Sequence, residues 1–122
     1  MTSERMFQGW LPAMWEDQAR YGNRFDEMTD EEGQAYITQM ALALHVEVSE
    51  FIEEFQWKKW KEVTGSFPVH RSCARITDEA VDVLHFLAHL LNVAGITELE
   101  VNEAMAAKRA ENDRRQRTGY KY

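Results

Sequence analysis

His45–Lys61 reads HVEVSEFIEEFQWKKWK, and further along the chain Asp78–Phe86 reads DEAVDVLHF. The first stretch carries Glu47 and Glu50, the second Glu79 and Asp82, each pair three residues apart. On an α-helix such pairs fall on one face, about one turn from each other. Their neighbours are largely apolar: Leu44, Val46, Val48, Phe51 and Ile52 in one stretch, Val81, Val83, Leu84, Phe86 and Leu87 in the other. Both stretches therefore predict core helices that set acids among core residues. Anions are costly there without a counter-charge. Two such pairs face to face ask for a hard divalent cation with oxygen ligands, Mg²⁺ first and Mn²⁺ as a substitute. Most acids spaced this way on helices are simply solvated, and Glu53, Glu54 and Glu62 are read so.

The bulk numbers bound the rest. A chain of 122 residues is expected to form one domain, residues 1–122, with a core that needs no staples. A net charge of −7 disfavours a nucleic-acid polymer as partner, whereas a mononucleotide bridged by metal remains compatible. The single cysteine, Cys73, cannot pair within the chain and fits a reducing compartment. The N-terminal stretch has no secretory pattern, and Ala80–Ile96 is interrupted by Asp82, His85, His89 and Asn92. No membrane association and a cytoplasmic location are expected.

Working outward, Phe7, Trp10, Leu11, Met14 and Trp15 recur at helical spacing and predict a first helix from Glu4 to about Tyr21, interrupted by Pro12. Gln18 and Asn23 close its apolar face; they suit a solvated surface or, as amides, a nucleobase edge. Gly22–Met28 reads as a turn. Thr29 or Asp30 then caps a long helix from Asp30 to Trp60, with Ile37, Met40, Ala41, Leu44, Val48, Phe51, Ile52 and Phe55 as its core positions. Lys58, Lys59 and Lys61 suit the end of that helix, or phosphates, with Trp57 and Trp60 beside them. Val63–Val69 is a loop. A third helix follows from Arg71 or Ala74 to Ala94, with Val81, Leu84, His85, Leu87, Ala88, Leu90 and Leu91 as core. His85 and His89 lack further zinc ligands and read as core residues or supports of a site. Gly95 ends this helix and Thr97 caps a fourth. Its basic tail, with Lys108, Arg109, Arg114, Arg115, Arg117 and Lys121, is a solvated helix end or a phosphate clamp. The expected fold is all-α, a compact bundle of four main helices.

The combination of ExxE, ExxD and a basic C-terminal segment resembles the all-α nucleoside triphosphate pyrophosphohydrolases. These include the dimeric dUTPases, the MazG-like enzymes and the phage dCTPase/dUTPase relatives. Trp57, Lys58 and Trp60 are similar to an aromatic-Lys-x-Trp segment of the dimeric dUTPases, and Glu79–Phe86 to their ExxDxLHF signature. Lys108, Asn112, Arg115, Gln116, Gly119 and Tyr120 match a K-x3-N-x2-RQ-x2-GY pattern of the same group. The likeness runs from about Gln18 onward, although the Gln-x-x-Leu-Asn element is only loosely present as Gln18–Asn23.

The resemblance implies hydrolysis of a nucleoside triphosphate to monophosphate and pyrophosphate, in a phage or bacterial enzyme of the nucleotide pool. It implies Mg²⁺ held by Glu47, Glu50, Glu79 and Asp82, with Glu50 also the catalytic base. Lys58, Lys108, Asn112, Arg115 and Tyr120 would bind phosphates, and Gln18, Asn23 and Trp60 the base. dUTP is the first substrate to expect, with dCTP or a purine deoxynucleotide as rivals. The chain is short for a dimeric dUTPase, so a homodimer or homotetramer is expected to complete its sites. Two other readings stand beside this one: a non-catalytic helical interaction module, and the same metal site acting on another diphosphate, such as an intermediate of histidine biosynthesis.

Overall fold

The computed structural model describes residues 8–55 and 74–119. They form four α-helices: α1 (Trp10–Arg20), α2 (Asp30–Glu53), α3 (Ala74–Val93) and α4 (Glu98–Arg117). A short 3-10 turn, Phe25–Glu27, lies between α1 and α2. No strand occurs among the described residues, and the fold is all-α as the periodicity predicts.

The helix starts follow from local chemistry. Thr29 and Thr97 each accept a hydrogen bond from the backbone N–H three residues on, at 3.1 Å in both cases. Glu32 and Glu100 reach back to the capping threonine's own N–H at 2.9 Å. Each box satisfies two N–H groups that the first turn leaves open. α1 starts at Trp10, after Gly9 takes a left-handed conformation at φ 74°; the Glu4–Phe7 part of the predicted helix lies outside the described residues. Pro12 then sits in the first turn, where its missing N–H costs nothing, so it starts a helix rather than kinking one.

α2 also ends early, at Glu53 rather than Trp60. The N–H groups of Glu54 and Phe55 turn back to the carbonyls of Phe51 and Ile52, three residues behind, which tightens and closes the last turn. The lysine-rich end expected of this helix, Lys58 to Lys61, lies outside the described residues, as do Val63–Val69 and Cys73.

α3 is the axis of the molecule: α2 packs along it and α1 rests on it. Leu11, Tyr36 and Ala88 are buried where these helices meet, with the imidazole of His89 among them. Gly33 lets Phe25 in, since a Cβ there would lie 3.1 Å from the Phe25 ring. The apolar stripes are wider than this core. Val48, Ile52, Val81 and Leu87, expected inside, lie at the surface of the single chain, and Leu42 is 61% exposed. Three helices cannot cover every apolar face of a helix as hydrophobic all round as α2.

α4 leaves α3 at a bend of 111° and buries none of its residues. Its tie to the rest runs through Glu98, whose carboxylate accepts from the N–H of Gly9 at 2.8 Å and of Leu11 at 2.7 Å. That carboxylate caps α1, which has no side-chain cap of its own.

Candidate metal centre

Glu47 and Glu50 come from α2, Glu79 and Asp82 from α3. The helices pack antiparallel, so the spacing of three on each produces facing acids. Glu47 shares a side-chain hydrogen bond with Asp82, and Glu79 feels the charge of Glu50. One ligand oxygen from each of Glu47, Glu50 and Glu79 lies within 4.8 Å of the others.

Electrostatics make the cluster unfavourable for anions alone. Glu47 is shifted above the ordinary carboxylate range by burial, then by Glu50, Asp82 and Glu79, and by its bond to Asp82. Glu79 is shifted the same way by burial, then by Glu50, Asp82 and Glu54, with Arg75 opposing. One oxygen of Glu79, Oε2, is buried without a hydrogen-bond partner among the described residues. An orphaned carboxylate oxygen beside two more carboxylates is a hard-donor set, and it fits a divalent cation.

The cluster continues one turn further than the sequence reading took it. Glu54, read there as a solvated surface acid, is 19% exposed and pairs with Arg75 of α3 at 3.2 Å. Neither residue stands out for the site in the sequence. Both lie four residues beyond a named acid, Glu54 after Glu50 and Arg75 before Glu79. Extending each stripe by one turn would have found them.

Gln18 and Asn23 are brought together at the other end of α3. Asn23 Nδ2 donates to Gln18 Oε1 at 3.0 Å, and the Tyr36 hydroxyl donates to the same oxygen at 3.0 Å. With Trp15, Phe25 and His89 they line a recess of about 10 Å³. His89 is buried, and Nδ1 has no hydrogen-bond partner among the described residues. Burial, then the neighbouring His85, holds the imidazole below the usual histidine range against the pull of Asp17. The sequence suggests His89 only as a core residue or a support and gives Tyr36 no role; nothing in the spacing ties either to Gln18.

Lys108, Asn112 and Arg115 lie along one face of α4, with Arg115 held by Glu111 at 3.0 Å. Within one chain, α4 does not pack on α2 or α3 as those helices pack on each other, and the charges acting on Glu47 and Glu79 come from α2 and α3. The single chain thus keeps these residues apart from the acids. Lys58, Trp60 and Tyr120 lie outside the described residues.

No single helix among the described residues is long and apolar enough to cross a membrane. No curated protein and no solved structure matches the chain. A family model described as dUTPase matches residues 11–108, a span that takes in α1, α2, α3 and the first half of α4. Facing acids on two antiparallel helices and a match across most of the chain lead to one assignment: the chain belongs to the all-α dUTPase family, whose chemistry is nucleotide hydrolysis of the dUTP type.

Proposed function

We propose that this protein hydrolyses a deoxynucleoside triphosphate, dUTP before others, to the monophosphate and pyrophosphate, with Mg²⁺ required. The observation that carries this reading is the convergence of Glu47, Glu50 and Glu79 within 4.8 Å, in a chain of the dUTPase family. Glu47, Glu50, Glu79 and Asp82 would hold the metal. When bound, it would neutralise the acids and draw charge from the phosphate oxygens.

Glu50 is the exposed member of the convergent three, which leaves it open to solvent water. It orients that water and takes its proton as the oxygen adds to the α-phosphorus. The bond from the α-phosphorus to the bridging oxygen breaks, and its electron pair leaves with pyrophosphate. Gln18 and Asn23, with Trp60, face the base. Lys108, Asn112 and Arg115, with Lys58 and Tyr120, hold the phosphates once a second copy of the chain brings α4 to the acids. An α4 without buried residues and the exposed apolar residues on α2 support that homo-oligomer. A cytoplasmic nucleotide pool is the setting this chemistry fits.

Pyrophosphate release from dUTP, dCTP, dATP and dGTP, with and without Mg²⁺, tests the reading. The wild type should turn over dUTP fastest and only with metal. Glu50→Gln should lose at least about a hundredfold in kcat, the scale on which a general base contributes. A folded wild type inert on all four nucleotides would return the protein to the interaction-module reading.

A further inference from the structure

α2 and α3 meet as a ladder with three rungs: Glu47 opposite Asp82, Glu50 opposite Glu79, and Glu54 opposite Arg75. Two rungs are acid against acid, and the third is acid against base. Arg75 touches Glu54 through Nε while its side chain is 78% exposed. A guanidinium has five N–H donors in a planar fork, so one carboxylate oxygen leaves most of that fork open. An exposed ion pair is also weak enough for a better anion to displace.

The order along α3 fixes what that anion would be. Arg75, Glu79, Asp82 and His89 fall on one stripe, at helical intervals of four, three and seven residues. Arg75 lies about 6 Å of helix rise before Glu79, and His89 lies about 10 Å beyond Asp82 on the opposite side. His89 lines the recess that holds Gln18 and Asn23. A nucleotide laid along this stripe, with its base on the side of that recess and its α-phosphate at the acids, extends its β- and γ-phosphates toward Arg75.

We infer that Arg75 binds the β- and γ-phosphates of the substrate, the part that departs as pyrophosphate, and that Glu54 holds its side chain at the edge of the acids until a triphosphate arrives. This rests on the placement of base and α-phosphate proposed above. A fork against phosphate oxygens forms charge-assisted, bidentate bonds, and a lysine at the same place would supply only a point charge.

The test is calorimetric binding, in Mg²⁺, of pyrophosphate, dUMP and the non-hydrolysable α,β-imido analogue of dUTP to wild type, Arg75→Ala and Arg75→Lys. The exposed position makes both variants compatible with folding, which melting curves check. Arg75→Ala should weaken the imido analogue and pyrophosphate by about tenfold or more and leave dUMP unchanged, with Arg75→Lys between the two. Equal weakening of all three ligands, or no weakening of the imido analogue, overturns the inference. A wild type that binds pyrophosphate but neither nucleotide overturns the reading of the base site, and the inference falls with it.

Discussion

At the scale of the residue, Glu79 concentrates the site's chemistry. Its Oε2 is buried with no hydrogen-bond partner among the described residues, and Glu50, Asp82 and Glu54 crowd it against the single opposing charge of Arg75. The folded protein therefore holds a proton on Glu47 and Glu79 more tightly than the unfolded chain does. A group whose pKa is raised on folding stabilises the fold below its unfolded value, here 4.5, and that contribution is lost as pH rises through the folded value. In chelator, Glu47 and Glu79 should thus pull the melting temperature down as pH climbs above about 4.5, against a rise toward 6.5 from His89, whose pKa is lowered in the fold. Glu79→Gln should raise the melting temperature of the metal-free protein at neutral pH and flatten this dependence, while reducing the gain that Mg²⁺ gives the wild type. Melting curves in chelator and in Mg²⁺ read both effects; a Glu79→Gln protein that melts below wild type in chelator contradicts the crowded-acid picture. The four acids were legible in the sequence because charge at helical spacing among apolar residues is a local pattern. Arg75 and Glu54 look like ordinary surface charges until the antiparallel packing of α2 on α3 sets them opposite each other.

At the scale of the element, what could be read ahead was whatever the chain decides within a few residues. Thr29–Glu32 and Thr97–Glu100 are local boxes, and both helices start where those sequences place them. The early end of α2 was not legible, because Phe55 and the positions after it continue an apolar and aromatic pattern that is compatible with helix. Glu98 belongs to a different class. Sequence assigns it to the first turn of its own helix, and the fold makes it the cap of α1 as well. Its two bonds cross between helices, so its removal should cost more than removal of a purely local cap. Glu98→Ala is expected to destabilise by about 2 kcal/mol, the range of hydrogen bonds to a charged group. Thr97→Ala, next to it, should lose about 1 kcal/mol. Urea denaturation of the two variants compares them directly, and a Glu98→Ala loss no larger than that of Thr97→Ala would mean the tie between α1 and α4 contributes nothing.

At the scale of the whole molecule, hydrophobic patterning and burial disagree, and the disagreement has a direction. α2 exposes Leu42 at 61% and Val46 at 53%, one turn apart on a face that neither α1 nor α3 covers. α4 exposes Leu99 at 58% and Met105 at 38%, and buries nothing over twenty residues. Helices in proteins draw most of their stability from tertiary packing, which α4 largely lacks in the single chain. Both faces would gain from the same event, the docking of a second copy that buries on the order of 1,600 Å². Such docking would also resolve the separation of Lys108, Asn112 and Arg115 from the acids, since phosphate-binding groups from one copy could serve the metal centre of another. The wild type should therefore sediment as a dimer or tetramer at micromolar concentration. Leu42→Glu with Val46→Glu places two charges in the middle of the exposed α2 face and should shift it to monomer, with loss of helix in the α4 region and of dUTP turnover. Analytical ultracentrifugation and circular dichroism on the pair measure this. Because Val46 adjoins Glu47 and lies one turn before Glu50, the gain in melting temperature that Mg²⁺ gives the double variant is measured alongside; a double variant that stays oligomeric would move the interface elsewhere, and a monomeric wild type with full activity would show that one chain closes its own site.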